Sequence, residues 1–206
     1  MPALRDSCVR TLSAWQPPDD RQDQLRRHFL DHLAGAADGW SRQCRGAHLT
    51  ASSLICAPSK GRVLLTLHAQ IGCWLQTGGH LEPSDNSLSA AALREAAEES
   101  GLDSLRVDPD PLLLSRHEVT CRGYQTVHLD IQFLAVTGQV GDPRFGAEST
   151  DVKWFNHDQL PPEVDDSVAA LVEAAGGRLG WYGDPRSVGR SQREAGEERP
   201  DFLPPF

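Results

Sequence analysis

Glutamates stand at positions 95, 98 and 99, near the end of the segment LSAAALREAAEES. On a helix of 3.6 residues per turn they fall within an arc of about 100°, so their carboxylates project together, while Ala92, Leu93, Ala96 and Ala97 take the adjoining and opposite surface. Neighbouring like charges cost roughly 0.2–0.5 kcal/mol per pair, and acids near a helix C-terminus also meet unfavourable carbonyl dipoles. A hard divalent cation would reverse that sign, because such ions take oxygen ligands. The competing reading is an ordinary Glu-rich surface helix in which Arg94 pairs with Glu98 at i,i+4. The upstream residues shift the balance toward the cation. Gly78 and Gly79 form a loop of backbone without side chains, where carbonyl or amide groups can approach a ligand, and Asp85 lies between that loop and the helix.

These residues need a scaffold. Ser87 suits an N-cap and Gly101 a C′ position, which predicts a helix over 88–100. Upstream, DQLRRHFLDHLAG places Leu25, Phe29, Leu30 and Leu33 on one helical stripe with Gly35 as a stop. From Ala47 the pattern turns to strands, HLTASSLICA and GRVLLTLH, joined by a turn at PSKG into a hairpin. Two more strands are expected around PLLLSRHEV and TVHLDIQFLAV, the second alternating Val127, Leu129, Ile131 and Phe133 with polar residues. A last helix is predicted around Val164, Val168, Leu171, Val172 and Ala175, ended by Gly176 and Gly177. This order implies an α+β domain built on a mixed sheet. It divides the chain into an N-terminal helical extension (1–45), a main domain (46–178) and a flexible charged tail (179–206).

The stretch TGGHLEPSDNSLSAAALREAAEESGL resembles the Nudix box, G-x5-E-x7-R-E-U-x-E-E-x-G-U with U aliphatic. Gly79, Arg94, Glu95, Glu98, Glu99, Gly101 and Leu102 match, with the small Ala96 at the first U. Asp85 takes the place of the first Glu, and eight residues rather than seven separate it from Arg94. GGHxEPxD followed by AALREAxEESG is a recurrent variant of the superfamily, so the extra residue reads as a lengthened loop. The flanks HLTASSLI, LLTLH, WLQTGGH, HLDIQF and ESTDVKWF also resemble the surrounding strands, and the likeness covers about 47–177.

The resemblance implies an α/β/α sandwich around a mixed sheet and a hydrolase that cuts a pyrophosphate linked to a nucleoside or similar group by attack of water on phosphorus. It implies Mg²⁺ or Mn²⁺ held chiefly by Glu98 and Glu99, with the Gly78 carbonyl as a further ligand and Glu95 as ligand or water-activating base. Arg94 would orient these acids, and a contact between Asp85 and Arg94 would brace the loop. Gly78, Gly79 and His80 form the ligand-facing segment, and the late acid Glu148 is a candidate to reach the metal or the water. A second reading keeps the fold as a non-catalytic nucleotide-binding or regulatory module. The intact acids at 95, 98 and 99 favour the enzyme. The isomerase branch of the superfamily fits least, because Cys73 in IGCWLQ lacks the N-T-x-C-S-H-P setting of its catalytic cysteine.

Other polar residues admit two readings each. His80 either contacts phosphate or is a solvent-facing loop histidine. His128 and Asp130 form an H-x-D pair that could line a cleft or bind metal, although an ordinary polar sheet face accounts for them more simply. Trp74 in GCWLQ could stack on a base, but suits a packed strand edge better. Arg116 and Arg122 could supply positive charge near phosphate.

Composition narrows the partners. A formal charge of −9 argues against coating a polymeric nucleic acid, and the small anionic nucleotide that the resemblance implies would have to arrive with cations. Five scattered cysteines without a C-x-x-C pair indicate neither a disulfide framework nor a zinc site. The absence of an apolar run of membrane length or a signal-like N-terminus makes the cytoplasm the expected location. The stripe of Leu25, Phe29 and Leu33 is expected to pack within the chain, with a homodimer contact as the alternative.

Overall fold

The computed structural model describes residues 2–121, 123–146 and 149–182. In chain order the elements are α1 (Pro2–Ala14), α2 (Asp20–Gly35), β1 (Ala47–Ala57), β2 (Arg62–His68), β3 (Trp74–Leu75), β4 (Thr77–His80), α3 (Leu88–Ser100), β5 (Arg106–Val107), β6 (Leu113–Cys121), β7 (Tyr124–Val136), β8 (Ser149–Asn156) and α4 (Asp166–Leu179). One mixed sheet runs β3-β2-β1-β7-β5, with β4 also on β1, β6 on β7 and β8 on β2. The β1–β7 pairing is parallel and sets His48 beside His128, Thr50 beside Asp130 and Ser52 beside Gln132. The hairpin expected at PSKG is present: β1 and β2 pair antiparallel, and a 3₁₀ turn over Pro58–Lys60 ends on Gly61 in the left-handed region.

Alternation along the central strands sorts the layers. Leu49 and Ala51 of β1 and Leu129, Ile131 and Phe133 of β7 pack with Leu88, Ala91 and Ala92 of α3 and with α1 and α2. On the other face, Leu54 and Cys56 of β1 and Leu134 and Val136 of β7 pack with Val168, Leu171, Val172 and Ala175 of α4. This second face changes character along β1. Its apolar end carries α4, while its other end is lined by His48, Thr50 and Ser52, all buried.

The N-terminal segment contains two helices rather than one. Leu4, Cys8, Leu12 and Trp15 of α1 and its end, together with Phe29 and Leu33 of α2, join the same core as β1, β7 and α3. Phe29 and Leu33 are fully buried, so the stripe on α2 packs intramolecularly. Burial pushes the Cys8 thiol up to about 12, consistent with a structural role. Two polar anchors fix these helices to the sheet. Trp15 Nε1 donates to the Pro111 carbonyl at 2.7 Å, and the Gln22 side chain pairs with Leu114 twice, donating to its carbonyl at 3.0 Å and accepting from its amide at 2.7 Å.

The last helix does not stop at Gly176 and Gly177. It continues to Leu179 and is capped by Gly180 in the left-handed region. Gly176 serves close packing instead, since a Cβ there would lie 2.2 Å from the Tyr182 ring. Trp181 donates from Nε1 to the Pro58 carbonyl at 3.2 Å and stacks on His157, so residues 179–182 dock on the domain, and 183–206 lie outside the described residues. Trp74 is 7% exposed and sits edge-on to Phe155, a packed residue at the strand edge. Among the described residues no helix is long and apolar enough to cross a membrane.

Candidate active site

Local chemistry fixes α3. Ser87 Oγ accepts from the Ala90 amide at 3.1 Å, and Gly101, left-handed, donates its amide to the Ala97 carbonyl at 2.9 Å. Ala91, Ala92 and Ala96 are fully buried against the sheet, and their small size lets the helix lie close. That contact turns Glu95, Glu98 and Glu99 toward β4.

Gly78 and Gly79 are not in a loop. They lie in β4, paired with Ser52 and Ala51 of β1, where tertiary fit outweighs the poor strand propensity of glycine. A Cβ on Gly78 would come within 2.3 Å of Ser52 Cβ and 2.7 Å of Ser52 Cα, so this glycine lets β4 close on β1. A Cβ on Gly79 would lie 2.6 Å from the Glu95 carboxyl carbon, so this one leaves space that the Glu95 carboxylate occupies. The Gly78 amide donates to Glu99 Oε2 at 3.3 Å, tying helix to strand.

Arg94 organises the acids. Its Nε and Nη2 donate to Asp85 Oδ1 and Oδ2 at 3.1 and 3.0 Å, and Nη2 also reaches the His80 carbonyl at 3.0 Å. Nη1 donates to Glu95 Oε1 at 2.9 Å and Glu98 Oε2 at 3.3 Å, one oxygen of each carboxylate. The extra residue of the box is absorbed in a turn, with the Asp85 amide bonded to the Glu82 carbonyl at 3.0 Å and the Glu82 amide to Asp85 Oδ2 at 2.7 Å. The Glu95 side chain is 14% exposed and that of Glu98 61%. Burial pushes the Glu95 carboxyl above its ordinary value, against the opposing bond and charge of Arg94.

A cleft of about 570 Å³ is lined by Gly78, Gly79, His80, Glu95, Glu98 and Glu99. Six of the sequence-predicted residues therefore share one opening, with Arg94 bracing them from behind. Leu81, Glu82, Pro83 and Gly146 also line it, as do Ser41, Arg42 and Gln43 on the connection from α2 to β1. Sequence reasoning missed these three, which carry no motif and reach the site only through the docking of the N-terminal helices. Glu148 and Arg122 lie outside the described residues. Arg116 pairs with Glu118 on β6 and does not line this cleft.

His80 is a strand residue, not a solvent-facing loop histidine. Its ring packs 5.1 Å from that of His48 and 5.0 Å from that of His128, and its Nε2 lies 3.8 Å from Cys121 Sγ. The H-x-D pair likewise separates into two environments. Asp130 is buried beside β1 and accepts from Thr50 Oγ1 at 2.8 Å and Ser52 Oγ at 2.6 Å, while burial raises its pKa against these hydroxyls. His128 joins the histidine group. Burial, with repulsion from His80 and His48, pushes its pKa down to about 3, and burial lowers that of His48 as well, so both rings are neutral at pH 7.

A family profile described as NUDIX domain matches residues 47–174. Among curated proteins no sequence matches significantly. Similar solved structures include a NUDIX-family hydrolase from Clostridium perfringens, with 23% identity and a TM-score of 0.53 over 66% of this chain and 97% of that one. The NUDIX domain of NrtR from Shewanella oneidensis, complexed with ADP ribose, has 21% identity and a TM-score of 0.52 over 72% and 97% of the two chains. A C. elegans Ap4A hydrolase in a binary complex has 19% identity and a TM-score of 0.51 over 65% and 98%. At these identities the structures share the fold.

Proposed function

We propose that this chain, which belongs to the NUDIX family and is a hydrolase acting on phosphoanhydride bonds, uses Mg²⁺ or Mn²⁺ to cleave a nucleoside diphosphate linked to another moiety, or a nucleoside triphosphate. The observation that carries this reading is the convergence of three carboxylates from one helix face with the backbone of Gly78 on a single cleft. The donor set suits a hard cation, since carboxylate and carbonyl oxygens favour Mg²⁺ and Mn²⁺ over softer metals. Glu98 and Glu99 would hold the ion, with Glu95 and the Gly78 carbonyl completing the protein ligands. When bound, such an ion offsets the charge of two phosphates and favours ionisation of a water.

The chain's own residues do the rest. Glu95, desolvated and held at one oxygen by Arg94, would take the proton of the attacking water where it does not itself ligate the ion. Arg94 keeps the acids in register and, through the His80 carbonyl, fixes the end of β4. Arg42 brings a cation to the lining of the same cleft, where it would meet a phosphate oxygen. ADP ribose, bound in one similar structure, and Ap4A, named in the activity of another, are consistent with this class and belong in its test.

A substrate panel of ADP ribose, dinucleoside polyphosphates, sugar nucleotides and nucleoside triphosphates, assayed with Mg²⁺ and Mn²⁺ and resolved by product identity, tests the proposal. Metal-stimulated cleavage of a phosphoanhydride supports it. Nucleotide binding without turnover on any member would transfer the reading to a non-catalytic module.

A further inference from the structure

We propose that His48, His80, Cys121 and His128 form a tetrahedral Zn²⁺ site that ties four strands together, shares only His80 with the lining of the cleft and uses none of its carboxylates. The inference does not rest on the hydrolase reading. One ligand atom from each residue lies within 4.8 Å of all the others. The residues come from β1, β4, β6 and β7, and the three ring centroids are 4.9, 5.0 and 5.1 Å apart, almost an equilateral triangle.

The donor chemistry selects the ion. Three imidazoles and one thiolate suit Zn²⁺, whereas Mg²⁺ and Mn²⁺ prefer oxygen. With Zn–N bonds of about 2.0–2.1 Å and Zn–S of about 2.3 Å, tetrahedral ligand atoms sit roughly 3.3–3.6 Å from each other. The 3.8 Å between Cys121 Sγ and His80 Nε2 needs only a small contraction to reach this range.

Two independent observations point to a missing partner. The Nε2 atoms of His48 and His128 are buried with no hydrogen-bond partner, and His48 as a whole is fully buried. Buried ring nitrogens are normally satisfied. In addition, His48 Nδ1 lies 3.0 Å from the Cys44 carbonyl, which assigns its proton to Nδ1 and leaves the Nε2 lone pair for a ligand. A carbonyl acceptor on the far nitrogen is the usual outer support of a metal-bound histidine.

Four protein ligands leave no open position, so the site is structural. On binding, Cys121 forms the Zn–S bond and its thiol proton passes to solvent, while the imidazoles bind as neutral donors. The position of His80 gives the site its consequence. Successive residues of β4 face opposite sides, so Gly79 meets Glu95 on one face while His80 meets the histidine group on the other. The ion would pin the strand that floors the cleft.

The test uses the full chain, stripped of metal under reducing conditions and titrated with Zn²⁺ and Co²⁺. One equivalent of Zn²⁺ should bind with a Kd below about 1 µM, and Co²⁺ should give an intense tetrahedral visible spectrum with a thiolate charge-transfer band. Cys121→Ser should abolish the charge-transfer band and weaken Zn²⁺ binding by at least about 100-fold, while E98Q retains the full equivalent. Absence of submicromolar Zn²⁺ binding to the wild type would overturn the proposal. So would unchanged affinity in both Cys121→Ser and His128→Gln. Circular dichroism of Cys121→Ser, the smallest change available, separates ligand loss from misfolding. If that variant does not fold, retention of the charge-transfer band in a folded His128→Gln with undiminished affinity overturns the proposal, and a loss of at least about 100-fold supports it.

Discussion

Arg94 holds Asp85 in a two-pronged contact, Nε to Oδ1 at 3.1 Å and Nη2 to Oδ2 at 3.0 Å, across a segment one residue longer than the usual box. The Asp85 side chain is only 5% exposed, so the pair is shielded from water, and losing it leaves Arg94 Nε without its acceptor although Glu95 and Glu98 still face the guanidinium. Asp85→Ala should therefore cost about 2–4 kcal/mol, measured by urea unfolding, and lower turnover through the released guanidinium. Arg94→Lys should also lose activity, because one ammonium cannot span Asp85, Glu95 and the His80 carbonyl together.

Glu98→Gln should leave the fold in place and remove catalysis. The side chain is 61% exposed, so its pair with Arg94 contributes little, and thermal stability should change by less than about 0.5 kcal/mol. Metal-stimulated kcat should fall by at least about 100-fold if this oxygen ligates the ion. Normal turnover in a folded E98Q protein would falsify the metal assignment.

The two glycines of β4 should fail differently. Gly78→Ala meets Ser52 backbone and Cβ atoms that cannot move away, so it should destabilise by about 1–3 kcal/mol or more. Gly79→Ala meets the movable end of Glu95, so its main effect should be on kcat with a small change in melting temperature. A parallel measurement of melting and turnover for both variants checks this split.

Asp165 caps α4, accepting from the Ser167 amide at 2.8 Å, and its bonds to the Ser167 hydroxyl and amide hold its carboxyl below the ordinary value. A depressed folded pKa means that the stabilisation is complete above the unfolded value of about 3.9 and is lost as pH falls through the folded one. Asp165→Ala should cost about 1 kcal/mol at pH 7, with the difference from wild type shrinking in acid. Asp165→Asn should keep most of the cap and lose the pH dependence. Thermal melts across pH 2–7 measure both.

Local signals explain what could be read from the sequence. The bounds of α3 follow from Ser87 and Gly101, and the inward face of β7 from the alternation of Leu129, Ile131 and Phe133. The first helix escaped notice because its stripe of Leu4, Cys8 and Leu12 is narrow and lies among polar residues. Gly78 and Gly79 suggested a loop because glycine disfavours strands, and only the approach of Ser52 and Glu95 shows why they belong in one. The histidine and cysteine group is wholly non-local. Its members at 48, 80, 121 and 128 meet only after parallel pairing sets β1 beside β7, and the H-x-D pattern pointed to Asp130, which the Thr50 and Ser52 hydroxyls engage instead. Arg42 reaches the cleft wall for a similar reason, through the docking of helices that share no motif with the box.

The paired bonds between Gln22 and Leu114 have a protective consequence. A carboxamide presents one donor and one acceptor in the spacing of a peptide group, so α2 supplies β6 with an imitation of the neighbouring strand it lacks at that point. A foreign chain seeking to extend the sheet there would first have to displace it, and Gln22→Ala should leave the rim open to self-association at high concentration.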